Sequence, residues 1–392
     1  MHWQSDLLRR LSAKYKTDIL CNGDECTCFI EPVSTLEINE HTPKDEIKNF
    51  AFNKGTAAGF LSYDYGMFLH GMKSSKKSNF PFGVLKKYSS EITFSNNDIT
   101  GDTDLLKNLP QVPQHRHISR NNKITSSADM AEYTAGCRRT LEEIKNGNTY
   151  QLNYTMSHSF KDPAFEPVNE FFRLSGDSPA AFTAYFDAGQ HKILSSSPER
   201  FIKVKDGQIL SQPIKGTLYT LTDEPEETAK LTENPKECAE LAMIIDMIRN
   251  DISINSVFGS VQVSGFKSVF RVNSLLQMYG NVTGTLKKGS DVIDLLLDAF
   301  PGGSITGCPK KRSMEIIDTL EPFSRGLYCG SMIKISSEKD MDSSICIRTG
   351  IFDTGEKTFT FYSGSGIVSD SDPQSEYKET MNKAEKFMEV FE

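Results

Sequence analysis

The chain has 392 residues, with 44 Lys and Arg against 52 Asp and Glu and a formal charge of −8. A mildly acidic surface of mixed sign favours neither nucleic acid nor an anionic membrane, and no apolar run approaches the ~20 residues of a membrane-spanning helix. The first ten residues carry charges where a signal peptide needs an apolar core, so the expected class is a cytoplasmic enzyme or binding protein. Length suggests about two or three domains. The eight cysteines have no paired spacing. Cys26 and Cys28 with Cys21 and His41 form either a metal site or, the stronger reading, a set of reduced structural thiols. All seven histidines lie at or before His191. Chemistry built from the second half must therefore use carboxylates, lysine, arginine, tyrosine or a metal.

In chain order, residues 1–20 read as a short helix, and 26–39 and 56–65 as strands. Residues 71–79 are a polar loop. Residues 107–127 are rich in Pro, Asn and Ser and read as a linker or exposed crossover. A helix over Ala131–Lys145 ends at Asn146 and Gly147. Strands follow at 149–159, 181–187, 192–196, 200–204 and 208–212. A long helix covers Pro235–Arg249, then a strand 260–265, a helical stretch 291–299 and a helix Pro309–Leu320. Hairpin strands at 327–335, 343–353 and 357–362 precede a last helix, Pro373–Phe391. Hairpin-like strand blocks interrupted by helices argue for an α+β fold with antiparallel sheets.

Several groups carry chemistry. Lys215, in Gln212-Pro213-Ile214-Lys215-Gly216-Thr217, is either a solvated strand end or a nucleophile held between a rigid Pro and a permissive Gly. Two helices open alike, at Asn234-Pro235 and Asp372-Pro373. Each carries carboxylates three residues apart on one side, Glu237 with Glu240 and Glu376 with Glu379. Glu237 also suits a capping box with Asn234, and Glu376 and Glu379 also suit a solvated face. Oxygen-only ligands of this kind suit Mg²⁺, although periodicity alone cannot bring the two helices together. The glycine stretches Gly302–Gly307 and Ser363–Gly366 are either anion-binding nests or plain turns. Arg348 reads as an inward arginine in an apolar strand that needs a carboxylate partner. Ser197-Pro198-Glu199 is an ordinary turn or a positioned acid. Together these residues describe a site for a small polyanionic metabolite.

The motifs resemble those of the chorismate-utilising enzymes, the family of anthranilate, aminodeoxychorismate, isochorismate and salicylate synthases. The matching pieces are Tyr150–Asn153, Ser197–Phe201, Pro213–Thr217, Glu240–Asp246 with Arg249–Asp251, Pro301–Gly307, Ile347–Thr349, Gly364–Gly366 and Glu376–Thr380. Gly59–Gly66 is a weaker match. Anthranilate synthases typically have alanine where Lys215 stands, and the lysine is the form of the aminodeoxychorismate synthase branch. The resemblance implies an α+β fold with two antiparallel-rich sheets packed as a sandwich and helices outside. Residues 1–125 would form an N-terminal part with a possible regulatory pocket for tryptophan. Residues 126–392 would form the catalytic part, the two being one intertwined unit.

The resemblance also implies roles. Mg²⁺ would be held chiefly by Glu240 and Glu379, with Glu237 and Glu376 in support. Tyr328 and Arg348 would hold the enolpyruvyl carboxylate of chorismate, and Gly216, Thr217, Gly364, Ser365, Gly366 and Lys383 would complete the pocket. Glu199 would be the general acid and Lys215 the nucleophile. Ammonia from a separate glutaminase subunit would then give 4-amino-4-deoxychorismate, a precursor of 4-aminobenzoate and folate. Anthranilate, isochorismate or salicylate synthesis are the alternatives, as is a non-catalytic paralogue that binds a glutaminase or tryptophan. Two departures from the family pattern stand out. Gln277 occupies the place of a histidine, and Leu218-Tyr219-Thr220 replaces a basic Pro/Arg pair.

Overall fold

The computed structural model describes residues 2–23, 25–95, 98–112, 122–220, 222, 225–272 and 275–391; the side chains of 2–4, 217, 219, 272, 275 and 386 are outside that description. Residues 113–121 of the expected 107–127 crossover and the side chain of Thr217 therefore lie outside the described residues. No helix among the described residues is long and apolar enough to cross a membrane.

Every strand pairing among the described residues is antiparallel, and two ladders carry the fold. One runs from Gly83–Phe94 through Cys26–Ile38, Thr17–Cys21, Phe182–Ala188, His191–Ser197, Thr349–Asp353 and Thr358–Ile367 to Gln151–Lys161. The other leaves the opposite edge of Gly83–Phe94. It runs through Ala57–Leu61, Ser331–Ser337, Asp340–Ile345, Arg200–Lys205, Gln208–Ser211 and Leu275–Thr285. Strands Ile214–Tyr219 and Gln262–Val272 both pair with Leu275–Thr285.

Alternation along the strands sorts side chains into layers. Phe60, Ala184, Phe186, Ile193 and Met332 share one cluster, which takes residues from both ladders. Their neighbours point the other way. Tyr185 and Leu194 join a cluster with Phe387 and Phe391 of the last helix, Pro373–Phe391. Leu61, Ile333 and Ile335 join Leu241 and Ile245 of the helix Pro235–Ser253. The result is an α+β sandwich with helices on its outer faces.

Several expectations need correction. The stretch 56–65 is a strand only over Ala57–Leu61. Ser62 caps a helix, Tyr63–Leu69, by accepting a hydrogen bond from the Tyr65 N–H at 3.2 Å, so a local cap overrides the alternation of Tyr63 and Tyr65. The strand expected at 260–265 is the first arm of a long hairpin, Gln262–Val272 with Leu275–Thr285. The helices Lys44–Phe52 and Pro167–Asp177 and the strand Gly83–Phe94 were not read from the pattern. Cys21 and Cys26 face one another across a hairpin and form a disulfide, while Cys28 is a buried free thiol. They are neither a metal site nor a wholly reduced set.

A fully buried ion pair ties the layers together. Arg325 Nε and Nη2 donate to the two carboxylate oxygens of Glu321 at 2.9 and 2.7 Å. Nη2 also donates to the Asn153 carbonyl at 2.6 Å, and Nη1 to the Ile305 carbonyl at 3.1 Å. Glu321 accepts further hydrogen bonds from the N–H and hydroxyl of Thr155. Removing one partner of such a pair strands a buried charge. We expect Arg325→Met to lower stability by about 3–5 kcal/mol, read from urea unfolding, and to be worse than the double change Arg325→Met with Glu321→Met. A single variant within about 1 kcal/mol of the parent would contradict this.

Candidate active site

Two strands leave one ladder and enter the other side by side. The chain passes from His191–Ser197 to Arg200–Lys205 through Pro198 and Glu199, and from Asp340–Ile345 to Thr349–Asp353 through Cys346–Arg348. Backbone bonds lock the two crossings: Ser196 N–H to the Arg348 carbonyl at 2.9 Å, and Ile345 N–H to the Glu199 carbonyl at 3.1 Å. The backbones of Glu199 and Arg348 are thereby fixed on adjacent crossings. Arg348 is not within a strand, as expected above. It sits between two strands at φ 48°, a conformation that is strained for a residue with a side chain and that concentrates at functional sites.

Glu199 is 6% exposed, and Ser304 Oγ donates to its Oε1 at 2.8 Å. Burial pushes its carboxyl up to about 7, against the Ser304 hydrogen bond and the Lys215 charge, which pull it down. A carboxyl poised there exchanges protons near neutral pH. Burial also pulls the Arg348 guanidinium below its usual range. Among the described residues no carboxylate pairs with it, which leaves its donors for a ligand.

Lys215 lies within the strand Ile214–Tyr219. Pairing with Leu275–Thr285 slips between Lys215 and Thr217, and Gly216 takes φ +77° in the resulting bulge. A side chain at 216 would meet Glu237 Oε2 at 3.1 Å, so the glycine also admits that carboxylate. The Lys215 amine lies over Gly366: an added β-carbon there would stand 3.7 Å from Nζ. Its charge acts on Glu199, Glu240 and Glu379 alike.

The carboxylates of the two helices lie close enough for the charge of Glu379 to act on Glu240. Burial raises the Glu240 carboxyl; Lys215 pulls it down, and Glu237 and Glu379 push it up again. The Glu379 side chain is half exposed; partial desolvation pushes its carboxyl up, but Lys383, 2.6 Å away, leaves it below the usual range. Asn234 caps its helix by accepting from the N–H groups of Lys236 and Glu237. No reciprocal bond from Glu237 completes a capping box, and that carboxylate turns to Gly216. Glu376 is 5% exposed and accepts from Ser371 Oγ at 2.6 Å, so it holds the turn before its helix. Among the described residues no three His, Cys, Asp or Glu side chains converge as a ready cage for a metal.

One glycine stretch is extended strand and not a turn. Ser363–Gly366 lies inside the strand Thr358–Ile367, paired with Asn153–Met156. There Gly364 admits the Tyr154 carbonyl, and Gly366 admits the Gln151 amide. The Gly364 carbonyl accepts from Lys383 at 3.1 Å, and the Ser365 hydroxyl points away to Tyr133 at 3.0 Å. Gly303 is packed against Met247, and its loop delivers Ser304 to Glu199. Tyr328 is 5% exposed and stacks on Tyr362, with ring centroids 5.2 Å apart. Gln277 is 6% exposed and pairs with Thr217.

Sequence reasoning gave no role to Ser304, Gln151, Glu321, Arg325 or His158. His158 is buried between the hydroxyls of Ser126 and Ser363, and burial lowers its pKa to about 4, so it is neutral. The i, i+4 spacing of Glu321 and Arg325 was the one signal available for that pair.

A buried acid and a lysine whose charge reaches it and the carboxylates of two helices lie beside the crossing that carries Arg348, and the comparisons name the class. The sequence model of a family described as chorismate binding enzyme matches residues 4–389, and the chain belongs to that family. Aminodeoxychorismate synthase component 1 of Bacillus subtilis strain 168 is 33% identical over 394 residues, covering 92% of this chain and 81% of that protein. Its namesake in Escherichia coli K12 is 36% identical over 301 residues, covering 76% of this chain and 66% of that protein. Anthranilate synthase component 1 of Aquifex aeolicus is 35% identical over 260 residues, with 65% and 52% covered. The solved structure of anthranilate synthase component I from Streptococcus pneumoniae superposes with a TM-score of 0.80 at 24% identity, covering 93% of this chain and 92% of that one. The menaquinone-specific isochorismate synthase of E. coli does so with a TM-score of 0.80 at 18% identity, covering 98% and 91%. Both likenesses are of fold.

The Ser304 hydrogen bond holds the Glu199 carboxyl down. Ser304→Ala should therefore raise its pKa further above about 7. Infrared difference spectra against Glu199→Gln, followed through a pH titration, read the buried carboxylic acid directly. A midpoint unchanged or lowered in Ser304→Ala would contradict this assignment.

Proposed function

We propose that this chorismate-binding enzyme is the aminating component of an aminodeoxychorismate synthase. It would convert chorismate and ammonia to 4-amino-4-deoxychorismate. The observation that carries the reading is the position of Lys215, whose charge is felt by the buried acid and by both helix carboxylates. A lysine at the meeting point of an acid and an anion site can act as a nucleophile.

In this reading Arg348 and Tyr328 hold the enolpyruvyl carboxylate, while Gly216, Thr217, the strand at Gly364–Gly366 and Lys383 shape the pocket. The Lys215 amine, its ammonium proton given up to solvent, forms a bond to C2 of the ring. The two ring double bonds shift, the C4–O bond breaks, and the hydroxyl leaves as water with the proton of Glu199. Hydroxide is a poor leaving group, so this proton is needed. Ammonia then adds at C4, the double bonds shift back and the lysine departs. Because the acid must be protonated, turnover should fall as pH rises through about 7.

Glu240 and Glu379 have the chemistry to hold Mg²⁺, which uses one or two carboxylates and keeps several waters. Their mutual repulsion, and that of Glu237 behind them, is the observation that favours a cation there. Bound Mg²⁺ would neutralise the ring carboxylate. Glu376, tied to Ser371, would support the helix start and not the ion itself. The component 1 names of the relatives support a partner subunit, and a glutaminase is the partner that would supply the ammonia.

Relatives named anthranilate synthase keep that activity as the second reading. Incubation with chorismate, Mg²⁺ and ammonium separates them by product. We expect 4-amino-4-deoxychorismate, loss of turnover on chelation with recovery on adding Mg²⁺, and retained chorismate binding without turnover in Lys215→Ala. Anthranilate, isochorismate or salicylate as the main product would overturn the reading, as would binding with no turnover in the parent.

A further inference from the structure

Gln151 opens the strand Gln151–Lys161 and is 1% exposed. Its backbone is pinned, since the carbonyl accepts from Thr149 Oγ1 at 2.8 Å. Its side chain is enclosed, yet Oε1 has no hydrogen-bond partner among the described residues. Buried amide groups are nearly always paired, so an orphan of this kind calls for an explanation. The location supplies one. The point where a β-carbon of Gly366 would stand is 2.9 Å from Gln151 Nε2 and 3.7 Å from Lys215 Nζ. Amide and amine thus share the space that the missing side chain leaves open.

A carboxamide can serve an amine at such a spot. Rotation about its last bond exchanges Oε1 and Nε2, so the carbonyl can accept from an amine N–H while the NH₂ turns to another acceptor. A neutral acceptor fixes the direction of an amine without the charge that would hold it as ammonium. A carboxylate of similar size would do the opposite. Lys215 has no ion-pair partner within salt-bridge reach among the described residues, so this contact would be its orienting one.

We propose that Gln151 is a positioning residue for Lys215. Its carbonyl accepts from Nζ and aims the amine lone pair into the pocket over Gly366. The inference rests on the nucleophile reading of Lys215 given above.

Two readouts test it, one of them independent of turnover. In the free enzyme, carbamylation of Lys215 by cyanate at one fixed pH is followed by peptide mass spectrometry. Gln151→Met should slow this labelling, and Gln151→Glu should slow it further by pairing with the ammonium. With chorismate and ammonium, Gln151→Met should lower kcat by roughly 10- to 100-fold, the size of one lost orienting contact. KM should stay within about threefold, as expected when binding contacts are untouched. An unchanged labelling rate in Gln151→Met overturns the contact. A rise in KM with kcat intact overturns the positioning role, as does a loss of thermal stability with kcat and labelling intact. Labelling needs no substrate, so it still reports on the contact if the product proves to be another compound. That outcome would overturn the aminodeoxychorismate reading alone.

Discussion

The buried pair of Arg325 and Glu321 is the constraint on which the site depends. One guanidinium satisfies the carbonyls of Asn153 and Ile305 and both oxygens of Glu321, while Glu321 holds the Thr155 N–H. Those contacts join the strand that begins at Gln151, the loop that carries Ser304 and the turn that carries Tyr328. The strand and the loop each turn a buried backbone carbonyl to this guanidinium, which supplies the partner it needs. Arginine suits the task. Its planar donors stay charged when buried and point in several fixed directions, and the Tyr63 ring lies 4.9 Å from its guanidinium carbon.

Placed at the edge of this hub, the site gains its electrostatics from burial more than from any single partner. Desolvation drives Glu199 towards neutrality and weakens the charge preference of Arg348. The corner geometry matters equally. Two strands change sheets there, Arg348 and nearby Cys329 adopt left-handed backbone at φ 48° and 66°, and the strain is held by the surrounding pairing. An acid held near neutral pH and a guanidinium without a counter-ion among the described residues are costly features for stability. They are explicable as preparations for an anionic ligand.

Much of this was legible in the sequence, and the gaps have physical causes. The last helix could be read from its Asp-Pro opening and regular apolar spacing, and it spans Pro373–Phe391 as expected. The helix from Pro235 was read from the same signs but runs on to Ser253. The hairpin arm Leu275–Thr285 escaped because its Gly280 and Gly284 resemble breaks, whereas they make room for Ile245 and Ser256. The Ser-Gly-Ser-Gly run looked like a turn for the same reason, although its glycines relieve contacts inside a strand. Lys215, Glu199 and the helix carboxylates could be singled out by residue type and motif. Their meeting could not, since it depends on pairings more than a hundred residues apart along the chain. Glu321 and Arg325 were harder still, for an ion pair next to a helix end reads as surface until its burial is known.

In the proposed reaction Lys215 is a covalent participant, and its state during turnover tests that directly. The enzyme is incubated with chorismate and Mg²⁺ without ammonia, quenched, digested and examined by mass spectrometry. The account predicts an adduct of chorismate less one water on the peptide that contains Lys215, and its disappearance when ammonium is added before quenching. Aminodeoxychorismate formation with no adduct at Lys215, or with the adduct on another residue, would contradict it.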